Sequence, residues 1–143
     1  MTTIFDNLPL PPAAALLGWE LIDLDVPAGT IEVAFNATSE FLNPSGFVQG
    51  GFLSAMLDDT LGPIVFAKTD GQKIATTIDL HVHFVRPVLP GRITTKARMI
   101  NFGRTISFME GELFDASGKL AARASASALL KLFEPPSPEA LPG

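Results

Sequence analysis

Apolar and polar positions alternate along most of this chain, and the period of the alternation changes twice. Between Trp19 and Phe35 two short alternating segments flank Pro27, Ala28 and Gly29. Ile31, Val33 and Phe35 keep the period of two of a half-buried strand, and the turn residues between the segments predict a hairpin. From about Gly50 to Ala67 the apolar residues Phe52, Leu53, Met56, Leu57, Leu61, Ile64 and Val65 recur at helical spacing. They cover more than half of the circumference, which predicts a mostly buried helix. Pro63 lacks a backbone donor, so a kink or an early end is expected there. After Asp70 and Gly71 the period returns to two, over residues 74–86, 92–102, 105–114 and 120–132, with breaks at 87–91, 103 and 115–118. Consecutive strands on short connections favour an antiparallel sheet, and a lone apolar helix must bury itself against it. The pattern predicts one α+β domain over residues 1–143, with irregular, proline-rich tails at about 1–12 and 134–143.

Composition narrows the chemistry. The chain has 143 residues, 47% of them hydrophobic, enough to build a core without staples. No apolar run approaches the ~20 residues that span a bilayer, and the first residues lack a secretory pattern, so a soluble, cytoplasmic protein is expected. The absence of cysteine removes disulfides, thiolate nucleophiles and thiolate metal sites. A net charge of −5 argues against a nucleic-acid partner, which would demand a dense basic surface.

Two features carry candidate chemistry. Along the predicted helix Gly51, Ser54, Asp58 and Gly62 follow at spacings of three and four and share one small, polar stripe. Two readings stand open: small residues that let a neighbour approach closely, or the lining of a cleft whose ionisable group is Asp58. Upstream, the loop Asn43-Pro44-Ser45-Gly46-Phe47-Val48-Gln49 runs into Gly50 and Gly51. Glycines at a helix start leave unpaired N–H groups uncovered, and these can hold an oxygen that gains negative charge.

This stretch resembles the hot-dog thioesterases, specifically the group related to the phenylacetate-pathway thioesterase. That group carries Asn-x-x-Gly-x-x-His-Gly-Gly and, seven residues after the second glycine, a helical Asp, which falls on Asp58 here. The likeness continues through Thr77-Ile78-Asp79-Leu80, Arg86-Pro87, Pro90-Gly91 and Gly103-Arg104-Thr105, and ends near the last strand. It departs at Gln49, where the family places His. Glutamine can orient a carbonyl or a water but cannot titrate.

The resemblance implies an antiparallel sheet wrapped around one long helix, and acyl-CoA thioesterase activity without a cofactor. It implies that the Gly50 N–H polarises the thioester carbonyl, that Asn43 and Gln49 fix its position, and that Asp58 acts as base or nucleophile. Thr77 aligns with a position that helps hold the catalytic water, although regular alternation would turn it away from Leu80. Asp59, about 100° around the helix from Asp58, is expected at a polar surface or a subunit contact. Gly51, Arg86 and Arg104 are the candidates for binding substrate and the phosphates of coenzyme A, since guanidinium forks suit phosphate. The family builds its site between two subunits, which implies a homodimer or homotetramer. His81 and His83 alternate with Leu80, Val82 and Phe84 and should face away from them; without an evident third ligand, solvent or subunit contacts are expected rather than a metal. The rival reading is a non-catalytic module that binds acyl-CoA or another apolar ligand.

Overall fold

The computed structural model describes residues 1–137; the end of the C-terminal tail, 138–143, lies outside the described residues. A short helix α1 (Pro12–Leu17) leads into the hairpin of β1 (Glu20–Asp25) and β2 (Thr30–Ala37). A 3-10 turn (Ser39–Phe41) and the glycine-containing loop follow, and then the long helix α2 (Gly50–Lys68). The remaining strands are β3 (Lys73–Phe84), β4 (Gly91–Phe102), β5 (Ile106–Phe114) and β6 (Leu120–Leu132). All six strands join one antiparallel sheet in the order β1-β2-β4-β5-β6-β3. The first strand after the helix therefore lies at the far edge, next to the last strand of the chain.

The sheet packs onto α2. Leu53, Met56, Leu57, Leu61, Ile64 and Val65 of the helix are buried against Val33, Phe35, Ile93, Met109 and Leu113 of the sheet. A row of small residues makes this close approach possible: Ala97 pairs with Gly111, and Gly111 with Ala124. A Cβ on Gly111 would stand 3.5 Å from Leu61 Cδ2, so the helix rests almost on the backbone there. The buried alanines of β6, from Ala121 to Ala128, serve the same purpose.

Two expectations are corrected. Of the kink or early end expected at Pro63, the early end does not occur: the helix continues to Lys68. A helical Pro63 leaves the carbonyl of Asp59, four residues earlier, without its usual donor, and the indole Nε1–H of Trp19 donates to that carbonyl at 2.9 Å. Strand alternation through Thr77 is also not regular. Register shifts between Thr77 and Asp79, with Ile78 as the extra residue of a bulge. The bulge lets Ala75 and Thr77, before it, face the same side as Leu80 and Val82, after it.

Candidate active site

The stripe on α2 is the part of the helix that the sheet leaves uncovered. Gly51, Ala55 and Asp58 are exposed and Ser54 and Gly62 partly so, and a Cβ on Gly51 or Gly62 would meet nothing within 4 Å. In the middle of this face, Thr77 Oγ1 donates to Asp58 Oδ1 at 2.9 Å. The contact joins residues 19 apart in sequence and depends on the bulge at Ile78. It fixes one carboxylate oxygen and leaves the other open to solvent or substrate.

The head of the helix is held by the loop before it. Asn43 Oδ1 accepts from the backbone N–H groups of Ser45, at 2.9 Å, and Phe47, at 3.1 Å, so this side chain shapes the turn with its oxygen. The loop is tied down by Val48 N–H to Val88 O and by Gln49 N–H to Phe41 O, at 2.8 and 2.7 Å. Gln49 occupies the N-cap position, but its exposed side chain makes no capping bond. The N–H groups of Gly50 and Gly51 find no acceptor among the described residues. Such unpaired donors at the positive end of a 19-residue helix can receive a partly charged oxygen. The ring of Phe84 lies over Gly50, where an added Cβ would stand 3.0 Å from its Cζ.

Within one chain these parts do not meet. Gly50 and Asp58 are eight residues apart, about 12 Å along the helix axis. One carbonyl carbon cannot sit beside both.

Asp59, expected at a polar surface or a subunit contact, is half-buried within the chain. Its Oδ2 lacks a hydrogen-bond partner among the described residues, and its pKa is pushed up to about 6, first by burial and then by the neighbouring Asp58 charge. Regular helix geometry turned it out of the stripe, and the Trp19 indole meets the helix at this turn, where it donates to the Asp59 carbonyl.

The two candidate arginines lie apart. Arg86 donates through Nε to the carbonyl of Leu120, at 2.9 Å, beside the Phe114 end of β5, whereas Arg104 sits in the turn before Ile106, at the other end. They are roughly 25 Å apart by the length of that strand. Arg86 also faces Asp115, whose carboxyl is held below its ordinary range, chiefly by the Ser117 hydroxyl, with Arg86 a smaller contributor. Arg104 has no side-chain hydrogen bond or ion pair among the described residues.

The sequence profile of the thioesterase superfamily matches residues 45–122, a stretch that holds the glycine pair, the stripe and Thr77. The chain belongs to the thioesterase superfamily. Its fold is the hot-dog fold of that superfamily, and its class is that of thioester hydrolases. A solved structure from Ralstonia eutropha JMP134, a phenylacetic acid degradation-related protein, is 38% identical; the match covers 88% of this chain and 95% of that one, with a TM-score of 0.80. A thioesterase from Haemophilus influenzae is 23% identical, with 90% and 86% covered and a TM-score of 0.74. A thioesterase family protein from Silicibacter pomeroyi is 21% identical, with 86% and 91% covered and a TM-score of 0.77. The last two likenesses are of fold alone. Among the described residues, no helix of this thioesterase is long and apolar enough to cross a membrane.

Proposed function

We propose that this thioesterase hydrolyses acyl-CoA esters in sites shared between two copies of the chain, without a cofactor. The Gly50 N–H of one copy holds the thioester oxygen, with Gly51 beside it, while Asp58 of the other copy activates a water or attacks the carbonyl directly. The observation that carries this reading is the solvent-facing Asp58 carboxylate, fixed through one oxygen by Thr77 on an uncovered helix face. A carboxylate held in this way is aimed, and its second oxygen is available to take a proton from water.

Distance supports sharing. With about 12 Å between Gly50 and Asp58 in one chain, a site that uses both would take one of them from a second chain. The edge strand β3 offers a place for that chain: it is 12 residues long and, among the described residues, paired only with β6, and Ile78, 58% exposed, lies beside Thr77. An unpaired edge of this length with apolar side chains is a template for a further strand. A two-fold axis there would extend the sheet and lay one helix face against the other. Such an arrangement would also allow Arg86 of one copy and Arg104 of the other to approach one CoA molecule. Asn43 and Gln49 belong to the glycine-bearing half of the site, Asn43 by shaping the loop and Gln49 through its exposed amide.

The test is release of free thiol from a panel of aryl, medium-chain and long-chain acyl-CoA esters, with Asp58→Asn beside the parent. General-base catalysis contributes ~10²- to 10⁴-fold, so turnover of the preferred ester should fall by about that factor. Tight binding of acyl-CoA by a parent that hydrolyses none of the panel would replace this reading with a binding module in which Gln49, unable to titrate, stands where catalysis would have used a histidine.

A further inference from the structure

The chain contains two histidines and no cysteine, and the fold brings both imidazoles to one point. His81 and His83 stand two residues apart on β3, on the face turned away from the helix, and both are exposed. Their Nε2 atoms approach to 3.1 Å, a hydrogen bond when one ring carries its proton at Nε2, with the rings nearly perpendicular at 80°. Alternation alone places the two side chains on one face; it does not say that their nitrogens converge.

That separation is the one adjacent metal ligands adopt. Two nitrogens at the usual distance of ~2.0 to 2.1 Å from a Zn²⁺-sized ion and 3.1 Å from each other subtend about 100° at the ion, between the octahedral and tetrahedral angles. Imidazole suits Zn²⁺, Ni²⁺ and above all Cu²⁺. The surroundings are mixed in charge. Asp79 precedes His81 on the same face, Ser125 lies opposite His81, and Arg123 lies opposite His83. Asp79 uses Oδ1 to accept from the Ser127 N–H and hydroxyl, which keeps its carboxylate close to the strand. No third His, Asp or Glu completes a cluster among the described residues, so the remaining coordination positions fall to water or to an external ligand.

We propose that His81 and His83 form a bidentate surface site for a divalent transition metal of the Cu²⁺, Ni²⁺ and Zn²⁺ group. The site lies on the face of the sheet opposite Asp58 and is independent of the hydrolase reading. Lateral pairing of β3 with a second copy would leave this face of the strand open.

The experiment uses the full, untagged chain and copper(II) iminodiacetate, a probe whose capped metal keeps adjacent positions free for imidazole. Chelation makes the second bond intramolecular, so the parent should bind this probe at least about tenfold more tightly than His81→Ala or His83→Ala. If either single variant binds within about twofold of the parent, the two imidazoles act separately and the proposal fails. Pulsed electron paramagnetic resonance of the probe on the unaltered protein removes any dependence on how the variants fold. Coupling to two imidazole rings is expected, and coupling to one would overturn the site.

Discussion

The indole N–H of Trp19 donates to the backbone carbonyl of Asp59 at 2.9 Å, and that carbonyl is free because the residue four positions on is Pro63. The residue that leads into the hairpin thus repairs a defect in the helix that carries Asp58. A proline inside a helix costs ~3 kcal/mol or more when nothing compensates. Here a side chain just before β1 supplies the missing donor, and it does so one residue from the candidate catalytic carboxylate.

Trp19→Phe should therefore destabilise the fold by about 1 to 3 kcal/mol, the cost of leaving a half-buried acceptor without a partner, in addition to lost packing. In a Pro63→Ala background the restored amide can reach Asp59, and the Trp19→Phe penalty should shrink. Urea denaturation of the four proteins of this double-mutant cycle measures the coupling. Equal penalties in both backgrounds would mean that the indole contributes packing alone.

Asp59 gives the protein a pH dependence opposite to that of an ion-paired carboxylate. Its folded pKa of about 6 lies above the ordinary value of 3.8, so the folded state holds the proton more tightly than the unfolded chain. The stability that this proton confers is complete below about 3.8 and is lost as pH rises through about 6. The full shift would correspond to about 3 kcal/mol; partial exposure reduces it to about 1 to 2 kcal/mol. Asp59→Asn should remove most of this dependence and raise the midpoint of thermal unfolding at pH 7.5 relative to the parent. Measuring both proteins between pH 4 and 8 checks the sign, and a parent whose contribution from this residue grows with pH would contradict it.

Much of this architecture was legible in the periods of the sequence. Ile31, Val33 and Phe35 marked β2, and the apolar spacing from Phe52 to Val65 marked the buried side of α2. Three things were not legible, and each depends on a long-range partner. The helix passes Pro63 because Trp19, 40 residues from Asp59, takes over its hydrogen bond. Thr77 reaches Asp58 because a bulge, set by pairing with β6, breaks the alternation that would have turned it away. Asp59 differs from Asp58 because of what covers it, which helix geometry alone cannot supply. The glycine pair, Asp58 and the loop from Asn43 were recognisable as local spacing, whereas the separation of Arg86 from Arg104 followed only from the strand order.

Thr77 should matter through the position of Asp58 rather than through its own chemistry. Thr77→Val keeps the shape and removes the donor; a hydrogen bond to a charged group contributes ~1.5 to 3 kcal/mol, so kcat should fall roughly tenfold or more if the aim of the carboxylate is what the bond provides. Thr77→Ser keeps the hydroxyl and should remain within a few-fold of the parent, with KM little changed in both variants. A Val variant as active as the Ser variant would remove Thr77 from the mechanism.

Sharing of the site between chains can be tested by mixing two inactive variants. Asp58→Asn removes the carboxylate. Gly50→Pro removes the N–H donor at the first helical position, where proline is well accommodated. Gln49, with φ −56° and ψ 133°, already has the extended backbone that a following proline favours. The ring of Phe84 must move aside, and it is 53% exposed and free to do so. Each variant alone should be nearly inactive. If each site takes its glycine loop from one copy and its carboxylate from the other, a heterodimer carries one site with both defects and one with neither. Random reassortment of equal amounts through a symmetric interface then restores about a quarter of the parental activity. Were loop and carboxylate of one site to come from the same chain, every site in the mixture would carry a defect and no activity would return. Thiol release after co-refolding of the two variants reads the difference, and circular dichroism of each variant excludes misfolding as the cause of its inactivity.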